Sequence, residues 1–185
     1  MSIPQVFVAG LGNLPFPVTR HSLGQLVIDA LADRLGIRMV SGRKGFTGTG
    51  IVSIGETPVS LTLFKSKSFM NVSGPSIAEA YRSAVKFPTS MIVLQDSLSH
   101  KVEQVSARLG GSHNGHNGIK SIIAALGGEQ RFYRFRLGIG EAGSTDASAY
   151  VLGKLSSHER QFWNNEGVDL VLEEIEKVAL KVNAR

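Results

Sequence analysis

The sequence contains no cysteine. That absence excludes disulfides, thiolate nucleophiles and thiolate zinc sites, and it fits a reducing compartment. Also missing is any apolar run near the ~20 residues that a membrane helix needs. No G-x-S-x-G element is present, so a serine nucleophile on a strand-to-helix elbow has no support. The chain has no internal repeat, low-complexity tract or linker. An apolar run begins as early as Val6, so no signal or transit peptide is expected ahead of it.

What is present is the composition of an ordinary folded domain. The 185 residues are 42% hydrophobic and 19% charged, with 21 glycines, enough for one domain over residues 1–185 with a sizeable core. Apolar runs and alternation predict strands at 5–9, 50–54, 58–65, 91–94, 102–108 and 132–139. Helical spacing predicts helices at 21–36, 71–86 and 119–126, and a last one at about 158–182. Gly36 and Gly127-Gly128 act as stops, Ser73 as a possible N-cap, and Ser156 with Glu159 as a capping box. Residues 41–50 read as a basic, glycine-rich connection. The expected fold class is α/β, a single domain with a mixed, mostly parallel twisted sheet flanked by helices. Chemistry in such folds lies at the carboxyl ends of the strands. Three loops leave there, at 10–21, 66–71 and 95–100.

Charge is unevenly distributed. Residues 1–140 carry 15 Lys/Arg against 7 Asp/Glu, whereas 141–185 carry 5 against 8. A basic region of this kind points to a polyanionic partner.

Five segments could carry chemistry. Gly10-Leu11-Gly12-Asn13 follows a strand, but Pro15 stands where a dinucleotide fingerprint needs its third glycine. In Thr19-Arg20-His21, a histidine joins loop to helix and suits general base work. Lys65-Ser66-Lys67-Ser68-Phe69-Met70-Asn71 offers cations for phosphate and an amide for a carbonyl. Asp96, just past a strand, can orient a histidine through its other ring nitrogen. Residues 110–118 hold His113 and His116 among four glycines. A metal there lacks an evident third ligand, so neither metal nor cofactor is expected.

These segments, in this order and spacing, resemble the bacterial-type peptidyl-tRNA hydrolase family. The likeness runs from about Val6 to Gly153. It includes Phe69-Met70-Asn71-Val72-Ser73-Gly74, Gly115-His116-Asn117-Gly118, Arg136-Leu137-Gly138-Ile139-Gly140 and Val151-Leu152-Gly153-Lys154. The resemblance implies a metal-independent esterase that frees peptide from the 3′ ribose of peptidyl-tRNA. In that reading His21 activates water, Asp96 orients it, and Asn13, Asn71 and Asn117 hold the carbonyl and developing oxyanion. Met70 supplies an apolar wall, His116 lies beside it, and Phe16 takes the place of a tyrosine that contacts tRNA. Lys65, Lys67, Arg108, Lys120, Arg134 and Arg136 would meet tRNA phosphates. A cytoplasmic monomer without membrane contact is expected, with a mitochondrial location as the alternative. The chain departs from the family in its shorter Asn13–His21 stretch, in Ser22 for Asn, in Asn114 for a glycine, and in lacking the usual His and Glu around Asp96. Those departures motivate a competing reading, a non-catalytic RNA-binding relative such as an organellar splicing factor.

Overall fold

The computed structural model describes residues 2–183. Its seven strands are β1 Gln5–Gly10, β2 Val40–Ser41, β3 Gly45–Ile54, β4 Thr57–Ser66, β5 Met91–Ser97, β6 Val105–Leu109 and β7 Tyr133–Gly138. The helices are α1 Leu23–Leu35, α2 Gly74–Ala84, α3 Asn117–Ala125, α4 Ala147–Val151, α5 Ser157–Asn164 and α6 Glu166–Asn183. All strands join one sheet in the order β2-β3-β4-β1-β5-β7-β6. The inner four, β4, β1, β5 and β7, run parallel. Pairing at both flanks is antiparallel, by β3 and β2 on one side and β6 on the other.

Through Val6–Ala9 and Met91–Leu94, the central strands β1 and β5 are apolar on both faces, as the middle of a covered parallel sheet requires. In β1, Val6 and Val8 face a core closed by α1, α5 and α6, whereas Phe7 and Ala9 face a second core under α2 and α3. Burying each such side chain stabilises the fold by roughly 1.5–3 kcal/mol.

Two glycines set the register between α1 and the strand ends. A Cβ on Gly10 would stand 2.2 Å from the Gly24 carbonyl oxygen, and one on Gly24 would stand 2.3 Å from that of Leu94. The start of α1 therefore rests directly on the ends of β1 and β5, fastened by Leu11 N–H to Leu94 O and Gln25 N–H to Leu11 O. This contact carries the residues just before α1 over the end of β5.

Several expected boundaries move. Residues 41–50 are not a plain connection: β3 starts at Gly45, pairs with Ser66 and continues through the Gly/Thr sequence. Small residues give little strand signal alone, and pairing with β4 supplies it. The helix expected at 71–86 is a 3-10 turn, Met70–Val72, followed by α2. Ser73 Oγ bonds back to Met70 O and does not cap the helix. The final helix is broken at Asn165, whose backbone (φ −125°, ψ −89°) leaves the helical region, and α4 was not expected. The Ser156–Glu159 capping box is present. Most relevant to function, β5 extends to Ser97, so Asp96 lies within a strand opposite Leu137.

Candidate active site

His21 belongs to the 3-10 turn Arg20–Ser22 that leads into α1. Asp96 projects from the end of β5, and His116 precedes α3. Asp96 Oδ2 lies 2.9 Å from His21 Nδ1, and Oδ1 lies 2.9 Å from His116 Nε2. The carboxylate is only 3% exposed. Burial pushes its pKa up, but attraction to and hydrogen bonding with His116, and then with His21, outweigh burial and hold it at about 2. An ionised carboxylate only accepts, so both facing ring nitrogens carry protons. His21 is thereby left with Nε2 as its basic nitrogen. The unprotonated Nδ1 of His116 receives the Gly118 and Ile119 amides, at 3.2 and 3.4 Å, and so caps α3. The two imidazole rings are 5.2 Å apart.

His21, Asp96, His116 and Asn117 line one cavity of about 220 Å³, together with Arg136, His100 and residues of α4. Asn71, Asn117 and Lys120 line an adjoining cleft of about 450 Å³, so Asn117 belongs to both. A cavity of about 480 Å³ between β3 and α2 contains none of the expected site residues.

Asn13 lines neither site cavity. Its Oδ1 accepts the Met70 amide at 2.7 Å, tying the loop after β1 to the loop after β4. This bond fixes the flip of the amide and leaves Nδ2 as the free donor. Ser22 Oγ holds the Asn13 backbone, accepting its N–H at 2.9 Å and donating to its carbonyl at 3.2 Å. Met70 is buried beside Gly118, and Phe16 is exposed on the loop after β1.

The expected phosphate ligands divide. Arg108 and Lys120 are exposed and Arg136 is half-buried. Lys67 is exposed, but bonds Ser41 Oγ and Gly42 O. Two expectations need correction. Lys65 is paired at 2.9 Å with Asp29 of α1 and largely covered, which neutralises it. Arg134 is 4% exposed, stacks on Phe132, and donates to the Gly111 and Ser112 carbonyls. Burial and the nearby Arg108 and Arg136 hold its pKa at about 10. Arg134 is thus an internal fastener of the 110–118 loop and presents nothing to a phosphate.

Among the described residues, His21, Asp96 and His116 form the one group whose ligand atoms, all within 4.8 Å, could hold a metal ion. Coordination there would displace the two ring protons that now bind the carboxylate. Ser97, His100, Ala147, Ser148 and Val151 also line the cavity, although none of them had an expected site role. The α4 segment is folded back towards the site by the Thr19–Lys154 bridge together with the Arg20 N–H to Gly153 O and Leu155 N–H to Val18 O bonds.

The fold and site define an α/β protein whose chemistry rests on a carboxylate-oriented histidine at the carboxyl ends of parallel strands. Comparison with known proteins specifies the family. The family model described as peptidyl-tRNA hydrolase matches residues 7–184, and the chain belongs to that family. It is 39% identical to a peptidyl-tRNA hydrolase of Agathobacter rectalis over 158 residues, covering 83% of this chain and 82% of the relative. It is 36% identical to one of Pseudomonas fluorescens, covering 83% and 80%. The crystal structure of peptidyl-tRNA hydrolase from Acinetobacter baumannii superposes with a TM-score of 0.83 at 27% identity, over 98% of this chain and 92% of that one.

Proposed function

We propose that the chain hydrolyses the ester joining a peptide or N-acyl-aminoacyl group to the 3′ ribose of tRNA, and so recycles tRNA from aborted translation. The observation that carries this reading is the 2.9 Å bond between His21 Nδ1 and Asp96, which leaves Nε2 of His21 basic at a cavity. His21 Nε2 takes a proton from water as the oxygen attacks the ester carbonyl. The tetrahedral oxyanion is held by side-chain amides, for which Asn13 Nδ2, Asn71 and Asn117 are the candidates. The imidazolium then returns its proton to the departing ribose oxygen, while ionised Asp96 supports its charge. General base help contributes about 10²–10⁴-fold, and one oxyanion donor about 3–4 kcal/mol. His116 bonds the second Asp96 oxygen and sets the carboxylate plane.

Amide side chains read the ester and peptide backbone, which every substrate shares, so peptide sequence is not discriminated. Arg108, Lys120 and Arg136 meet tRNA phosphates. No cofactor is required by these steps. Among the described residues no helix is long and apolar enough to cross a membrane, and we place the protein in the cytoplasm as a monomer. The assembled His21–Asp96 pair favours the hydrolase over a non-catalytic RNA-binding relative. The test is release of peptide from N-acyl-aminoacyl-tRNA by purified protein without added metal. Tight RNA binding without turnover would overturn the reading.

A further inference from the structure

The cavity lined by His21, Asp96 and His116 is also lined by a second hydrogen-bonded pair that the mechanism does not use. Ser97 Oγ is 2.7 Å from His100 Nδ1. The Ser99 amide donates to the same hydroxyl oxygen at 3.3 Å, and in the tautomer in which that hydroxyl donates to His100 Nδ1 the ring proton stands on Nε2. His100 Nε2 has no hydrogen-bond partner among the described residues. The residue is held rigidly. Its carbonyl accepts the Gly140 amide at 3.0 Å, and the next carbonyl, of Lys101, lies so close to Gly138 that a Cβ there would be 1.8 Å away.

The surroundings select for an anion. Arg136 lines the same cavity, its Nη2 bonded to Ser106 and its buried Nε without a partner. Asp96 is the only acid in the lining, and both of its oxygens are already occupied. Ser97 adds no charge where the family likeness leads one to expect a carboxylate beside Asp96. Burial, together with Arg136, lowers the pKa of His100.

We infer that His100 Nε2–H, oriented by Ser97 and acting beside Arg136, donates to the phosphodiester nearest the scissile ester at the 3′ end of the RNA. This rests on the proposed hydrolase activity. That phosphate is one sugar away from the ester carbon. Gripping it positions the ester over His21 and distinguishes an RNA-borne ester from a simple one. His100 is therefore a substrate-positioning residue of the Gln95–His100 segment.

The test compares two N-acetyl-aminoacyl-tRNAs, identical except that in one the terminal phosphodiester is an uncharged methylphosphonate. The readout is the ratio of their kcat/KM values. A hydrogen bond to a charged oxygen is worth on the order of tenfold. His100→Ala should therefore lower the wild-type ratio by about tenfold, His100→Gln, which keeps an N–H, should restore part of it, and Ser97→Ala should cause a smaller fall. His100→Leu, which keeps bulk without a donor, serves if the alanine variant does not fold. A merely structural role would slow both substrates equally, and an unchanged ratio in His100→Ala or His100→Leu overturns the inference. Failure of the wild-type protein to cleave the natural linkage would instead overturn the hydrolase reading beneath it.

Discussion

His21 and Asp96 stand 75 positions apart in the chain, yet their side chains meet at 2.9 Å above the end of β5. The contact exists because α1 begins on the glycine pair Gly10 and Gly24, which lets its first turn lie against the strand ends.

Catalysis should follow this bond. His21→Ala is expected to lower kcat by about 10²–10⁴-fold with an unchanged circular dichroism spectrum. Asp96→Asn should lose a similar factor, because an amide can donate to Nδ1 and favour the wrong tautomer. Single-turnover assays on N-acyl-aminoacyl-tRNA measure both, and full activity in His21→Ala would refute the base assignment.

Acid stability should depend on Asp96. Its pKa falls from the ordinary 3.8 to about 2 on folding. A depressed carboxylate stabilises the fold above its unfolded value, and that contribution is lost as pH falls through the folded one. The contribution should amount to about 2 kcal/mol above pH 4 and fade towards pH 2. Denaturant unfolding of wild type and Asp96→Asn across this range should show the gap closing as pH drops.

Asn13 separates positioning from chemistry. Asn13→Asp keeps the acceptor for the Met70 amide but replaces the free donor with negative charge. It should lose about 10²–10³-fold in kcat with little change in Tm. Asn13→Ala also strands the Met70 amide, so it should in addition lose about 1–3 kcal/mol of stability. Equal Tm values for the two variants would show that the Met70 bond contributes nothing.

Two arginines that face each other across β6 and β7, Arg108 and Arg134, should behave differently. Arg108→Ala should weaken tRNA binding and reduce the slope of log Kd against log salt by roughly 0.7–0.9, the value for one phosphate contact. Arg134→Met should leave that slope alone. It should instead cost about 1–3 kcal/mol by freeing the Gly111 and Ser112 carbonyls, read as faster amide exchange in residues 110–118. A salt slope altered by Arg134→Met would restore it as a phosphate ligand.

Much of this was legible in the linear chain. Period-two alternation marked β7, and helical spacing marked α1, α2 and α3, because those patterns are imposed by local backbone geometry. The Gly10–Asn13, Thr19–His21 and Gly115–Gly118 segments were recognisable as candidate site loops by their likeness, in order and spacing, to the blocks of the family. Other features left no local trace. β3 begins in a glycine- and threonine-rich stretch that only pairing with β4 makes a strand. Asn165 gives no warning that the last helix breaks there.

The sequence by itself therefore determined the α/β class and, through the family likeness, singled out His21, Asp96 and the asparagines as candidates. Only the tertiary structure decided how they are used. It placed β5 between β1 and β7, putting Asp96 within reach of two histidines. It turned Lys65 onto Asp29, buried Arg134 under its own loop, and brought His100 and α4 to the cavity. The physical reason is the same in each case. These outcomes depend on which distant segments share a surface, and neither charge nor periodicity along the chain encodes whether a cation will face water or a carbonyl.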